Sequence, residues 1–181
     1  MCKRGRINPC GICSWNGEAT PMSDRDVEKV IKEGELYYDR LGHGKLRVLL
    51  KAYKLAKEAG KANKLMLGTN VPSMSGYSPL GLWVNIAALS NANPDVHPAA
   101  FIAMASGNVA DCYGLNHGKI EKGHKLDTIL LDGFGYDPCP FKTLQSGNMC
   151  SVSFVVMDGE LRMPACKNVP GASRKPEVTR K

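Results

Sequence analysis

Lys64-Leu65-Met66-Leu67-Gly68-Thr69-Asn70-Val71-Pro72-Ser73-Met74-Ser75-Gly76-Tyr77-Ser78-Pro79 is the stretch on which the fold turns. Its short apolar run, Leu65 to Leu67, reads as a buried strand, and at Gly68 it gives way to small polar residues, two glycines and two prolines. A strongly apolar segment follows, Leu80-Gly-Leu-Trp-Val-Asn-Ile-Ala-Ala-Leu89. The unit is therefore strand, polar loop, helix. In α/β folds ligands gather at the carboxyl ends of such strands, which is where Asn70 stands.

Upstream, the pattern repeats. Leu46, Leu49, Leu50, Tyr53 and Ala56 form the inward stripe of an amphipathic helix over about 45–59, stopped by Gly60. Before it, Leu36 to Leu41 reads as a second strand. Ser23, with Asp26 three residues on, caps a helix carrying Val27, Val30 and Ile31 on one face as far as Gly34. Ile12 to Trp15 reads as the end of a further short strand. Three strands alternating with helices imply parallel pairing with right-handed crossovers, part of an α/β sheet or barrel.

Downstream, Asn93-Pro94 opens a helical segment through Phe101, Ile102, Met104 and Ala105, interrupted at Ser106-Gly107 and resumed from Asn108 to Tyr113. From Leu115 the texture becomes one of turns and strands. Lys125 to Asp132 reads as a strand and Gly133 to Pro140 as a loop, while Ser151 to Met157 and Glu160 to Met163 pair as a hairpin through Asp158-Gly159. The basic end, Cys166 to Lys181 with Pro170 and Pro176, reads as extended or disordered.

The 181 residues, 43% hydrophobic, can bury a core and contain no run of about 18 apolar residues to span a bilayer. Neither a membrane partner nor a secretory leader is expected, and the cytoplasm is the default location. Seven scattered cysteines do not resemble a secreted disulfide framework and read as mostly reduced thiols. The net charge of +7 sits largely on a solvated helix face, Arg47, Lys51 and Lys54, and in the terminal residues. With no interleaved aromatics or recognition motif, nucleic acid is not an expected partner.

Met104-Ala-Ser-Gly-Asn-Val-Ala-Asp-Cys-Tyr-Gly-Leu-Asn116, then Gly118-Lys-Ile-Glu-Lys-Gly123 and a strand ending at Asp132, then Val156-Met-Asp-Gly-Glu-Leu161, together resemble the carboxyl-terminal half of the amidohydrolase superfamily. The Leu67 to Gly81 stretch narrows the resemblance to its enamidase-like branch, and residues 12 to about 165 are covered. The resemblance implies an α/β fold comprising the last three β/α units of a (β/α)8 TIM-like barrel and a small β-sandwich segment. The domains would be 1–115 for the partial barrel, 116–165 for the sandwich segment and 166–181 for a basic flexible tail. A complete barrel takes roughly 250 residues, so the barrel is incomplete. The expected partner is a second copy, in a homo-oligomer, or a chain carrying the amino-terminal half of the barrel.

Such enzymes use histidines and a bridging carboxylate to hold divalent metal, which activates water, while an aspartate at the end of strand eight carries the proton. By resemblance that aspartate falls at Asn70, which has no titratable carboxylate, and the strand-six histidine falls at Ser14. The first-strand His-x-His pair, the bridging carboxylate and the strand-five histidine would lie upstream of Met1. No metal ligands are therefore expected in this chain alone; zinc, iron or manganese would bind only if a partner completed the site. The expected function is hydrolysis of a C–N bond in a cyclic amide when so completed, and inactivity in isolation. The alternatives are a non-catalytic binding or assembly subunit and a truncated gene product.

Several residues carry two readings. Trp15 either packs or lines a pocket with Asn16, and Ser73 and Ser75 either bond a ligand at the rim or hold their Pro/Gly loop. Cys10-Gly-Ile-Cys13 has the spacing of half a zinc knuckle or a redox pair, but no second pair accompanies it, which favours incidental thiols. His43, His97, His117 and His124 are isolated near turns and helix starts and read as surface or capping residues.

Overall fold

The computed structural model describes residues 10–11, 24–33, 38–41, 46–68, 80–135, 137–163, 171–174, 177 and 179. In chain order the elements are β1 (Cys10–Gly11), α1 (Asp24–Glu33), β2 (Tyr38–Leu41), α2 (Leu46–Glu58), β3 (Leu65–Gly68), α3 (Gly81–Ala92), α4 (Ala99–Ala105) and α5 (Gly107–Tyr113). They continue with β4 (Thr128–Asp132), α6 (Pro140–Gln145), β5 (Ser151–Met157) and β6 (Glu160–Met163).

The described strands form two three-stranded sheets. The first runs β1-β2-β3, parallel throughout, with Tyr38 paired to both Cys10 and Leu65, and Leu41 opposite Gly68. Spatial order follows chain order, α1 packs on α2, and α2 on α3. Each β-α-β step therefore advances by one strand in the same direction. The second sheet, β4-β5-β6, is an antiparallel meander. Its β5–β6 connection is a two-residue turn in which Asp158 and Gly159 both take positive φ, 52° and 77°, the primed geometry that matches strand twist.

The core explains why these segments hold. Leu65, Met66 and Leu67 are 0%, 1% and 4% exposed, so β3 is covered on both faces, as a strand of a parallel sheet must be. Leu65 and Leu67 join Leu49, Ala52, Tyr53 and Ala56 of α2, Ile86 and Leu89 of α3, and Phe101 and Met104 of α4. Tyr53 and Phe101 meet edge to face at 5.1 Å. Leu144 and Cys150, which flank the turn from α6 into β5, enter the same cluster, and Leu131 of β4 packs against it. One core thus serves both sheets. Asn108 of α5 adds a polar tie, its Nδ2 donating to the Leu65 carbonyl at 2.8 Å.

One reading is corrected. Leu46, expected inward, is 46% exposed, because it is the first residue of α2 and projects past the core; the buried stripe is Val48, Leu49, Ala52, Tyr53, Leu55 and Ala56. A short strand lies at Cys10–Gly11, and the strand end expected at Ile12 to Trp15 lies outside the described residues. A short helix, α6, follows the expected loop, started by Pro140 in its first turn. Within the stretch read as an extended or disordered tail, residues 171–174 lie along the second sheet, with Ser151 Oγ donating to the Gly171 carbonyl and Ser153 Oγ to that of Arg174.

If one core serves both sheets, Leu144→Ala, made in α6, should lower stability by about 2–5 kcal/mol. It should shift the whole denaturant transition, followed by far-UV circular dichroism and Trp fluorescence. Loss of the second sheet alone, with the transition of the helical part unchanged, would show two separate cores.

Candidate functional site

Parallel pairing puts the carboxyl ends of β1, β2 and β3, at Gly11, Leu41 and Gly68, along one edge of the first sheet. Of the residues singled out in the sequence, Trp15 and Asn16 follow β1 in chain order, and Asn70, Ser73 and Ser75 follow β3. All five, with Ser14, Cys13 and His43, lie outside the described residues.

The strongest polar cluster that is described lies elsewhere, at the end of β4. Asp132 is 1% exposed. Its carboxylate accepts from Arg174 Nε at 2.8 Å and from the same guanidinium's Nη2, from the Arg174 backbone N–H at 3.0 Å, from Ser173 Oγ at 2.9 Å and from the Gly133 N–H at 2.9 Å. The guanidinium hydrogen bonds hold this carboxyl well below the ordinary carboxylate range; burial opposes them, and the Arg174 N–H, Ser173 hydroxyl and Gly133 N–H assist. Arg174 also donates to the Pro138 carbonyl at 2.7 Å. Gly133 is required there, since a Cβ on it would lie 2.2 Å from the Asp137 carbonyl oxygen. A carboxylate saturated by five donors has no free lone pair for proton transfer. Asp132 is a clasp that ties residues 173 and 174 to the second sheet. Sequence reasoning placed Asp132 at a strand end but missed its partners, because nothing local marks an arginine 42 positions away.

The described histidines are separate. His97 Nδ1 accepts the Ala99 N–H at 3.3 Å at the start of α4, with its ring edge-on to Phe141 at 4.4 Å. His117 Nδ1 lies 3.6 Å from Asp127, and His124 Nε2 lies 3.5 Å from Glu121.

The model of the amidohydrolase family matches residues 39–163, from β2 to the last residue of β6. The chain belongs to the amidohydrolase family. Within that family it is similar to the enamidase of Eubacterium barkeri, with 27% identity over 176 residues, 96% of this chain and 45% of the relative. A crystal structure of enamidase, described as a new member of the amidohydrolase superfamily, superposes with a TM-score of 0.84 at 26% identity, over 93% of this chain and 43% of that one. The beta-aspartyl dipeptidase of Fervidobacterium islandicum AW-1 shares the fold, with a TM-score of 0.58 at 18% identity, over 86% of this chain and 40% of that one. The chain is an enamidase-like amidohydrolase-superfamily protein that spans less than half the length of these relatives.

Among the described residues no three His, Cys, Asp or Glu side chains are grouped to hold a metal ion. No helix among them is long and apolar enough to cross a membrane.

The clasp predicts a pH dependence. The folded-state pKa of Asp132 lies below the unfolded value of about 4, so between the two the unfolded state binds more protons. Its stabilisation is complete above that unfolded value and is lost as the pH falls through the folded one. Asp132→Asn should lower stability by about 1.5–3 kcal/mol at pH 7, and urea titrations should show this difference shrinking once the pH is taken below the unfolded-state value. A difference independent of pH would mean that the carboxylate charge is not what the clasp uses.

Proposed function

We propose that this chain is the carboxyl-terminal part of an enamidase-like hydrolase, comprising the last three β/α units of a (β/α)8 barrel in residues 1–115 and a β-sandwich segment in 116–165. The observation that carries the reading is the singly wound order of β1, β2 and β3 in a chain that matches less than half of enamidase. Consecutive parallel strands occur both in a barrel wall and in one half of a doubly wound sheet, and the likeness to enamidase is what favours the barrel.

The reaction class is hydrolysis of a carbon–nitrogen bond in a cyclic amide. In this reading the loops after β1 and β3 form the rim of the pocket, with Trp15 and Asn16 on one side and Ser73 and Ser75 on the other. Asn70 occupies the proton carrier's position. An asparagine side chain can orient a carbonyl or a water by hydrogen bonds but has no carboxylate to take a proton. The isolated chain is therefore inactive, and divalent zinc, iron or manganese binds only where a partner supplies its ligands.

That partner is either a second copy or a chain carrying the remaining strands. Two features support it. β1 and β3 each pair with β2 alone among the described residues, which leaves outward edges that a closed wall would not have. Asn85, buried on α3 at 8% exposure, has an Nδ2 without a hydrogen-bond partner among the described residues, whereas most buried donors are paired. The second reading, a non-catalytic assembly subunit, is favoured by Asn70 itself.

Co-expression with a chain bearing a His-x-His strand and a bridging Lys or Glu separates the two readings. If the barrel is completed and Asn70 marks the missing proton carrier, Asn70→Asp in the co-purified complex should raise hydrolysis of a lactam or enamide by about 100-fold or more, the ordinary contribution of a positioned acid–base group. A complex that forms with no gain from Asn70→Asp would reject the hydrolase reading in favour of an assembly subunit.

A further inference from the structure

Cys139 and Cys150 stand at the two ends of the α6 segment. Cys139, half-buried, immediately precedes α6, and Cys150, 3% exposed, immediately precedes β5. Both carry free thiols. The Cys150 thiol donates to the Pro140 carbonyl at 3.2 Å, which puts its sulfur against the residue next to Cys139.

The backbone at position 139 is pinned from both sides. Its N–H donates to Asp137 Oδ1 at 2.8 Å, and its carbonyl accepts from the Thr143 N–H at 3.1 Å and the Thr143 hydroxyl at 3.2 Å. The chain leaving α6 is held too, by Gly147 N–H to the Leu144 carbonyl at 3.0 Å and Asn148 N–H to that of Thr143 at 3.1 Å. Two cysteines with fixed origins thus lie across one short helix. Burial, then the neighbouring Cys139 and Asp132, push the Cys150 thiol up to about 11.

We propose that Cys139 and Cys150 form a reversible thiol–disulfide pair, a modification site that takes a hydroperoxide as oxidant and staples the start of α6 to the start of β5. The more exposed Cys139 reacts first: its sulfur takes an oxygen atom from hydrogen peroxide, the O–O bond breaks, and one water leaves as the sulfenic acid forms. The Cys150 sulfur then attacks that sulfur. The S–S bond forms, the S–O bond breaks, and the departing hydroxide takes the Cys150 proton as a second water. Both thiols are oxidised and the peroxide is reduced to two waters. The staple would bear on the clasp, because Arg174 donates to the Pro138 carbonyl, one residue before Cys139. Reversible disulfides of this kind are the form in which cysteine pairs act in reducing compartments.

The test uses the full chain, treated with hydrogen peroxide under native conditions, quenched, unfolded in denaturant, alkylated, digested and mapped by mass spectrometry. The expected product joins the Cys139 and Cys150 peptides and reverts with dithiothreitol; Cys112→Ser leaves it in place and Cys139→Ser abolishes it while leaving Cys150 alkylatable. Cys139→Ser changes a half-exposed position and serves where Cys150 variants fail to fold. The proposal is overturned if both cysteines remain alkylatable after oxidation, if Cys139 is found joined to any other cysteine, or if Cys139 goes on to sulfinic acid with Cys150 untouched.

Discussion

A parallel sheet needs cover on both faces and partners along its edges, because each strand carries backbone donors and acceptors on both sides. Here β2 is satisfied by two neighbours, while β1 and β3 have one each among the described residues. Asn108 caps one carbonyl, that of Leu65, but a single side chain cannot serve a whole edge. The helices α1, α2 and α3 pack in succession, so the sheet is built as a wall. The rest of the architecture follows from how this wall is braced.

The bracing comes from the second sheet. Leu144, Cys150 and Leu131 reach into the core that α2, α3, α4 and β3 share, so the antiparallel meander is joined to the parallel sheet by apolar contact. Next to Leu131, the buried Asp132 carboxylate gathers the Ser173–Arg174 segment and the Pro138 loop at one point. A buried carboxylate without such donors would be costly; with five of them it specifies where the chain must lie. In this family member the described carboxylate with the strongest environment is structural.

Much of the fold was legible. The helix of α2 followed from its apolar spacing, β3 from its short run before Gly68, and the β5–β6 hairpin from Asp158-Gly159. What escaped was non-local or marginal. α6 is six residues long, too short for a periodic signal. Leu46 has the right spacing for the stripe but sits where the helix outruns the core. The Arg174 clasp joins residues whose proximity only tertiary structure creates. The family was legible because its motifs are spread over most of the chain, from Leu67 through Asp132 to Leu161. The candidate rim residues were chosen from strand ends and resemblance, and Trp15, Asn16, Asn70, Ser73 and Ser75 fall outside the described residues.

The central claim is that the wall made by β1, β2 and β3 is completed by another polypeptide. The most direct measurement is the molar mass of the purified chain in solution, by light scattering on a size-exclusion column, with binding of a hydrophobic dye read on the same peak. The account predicts either a mass of two or more chains, or a single chain that binds the dye through its uncovered face. A compact monomer that leaves the dye unbound would contradict it.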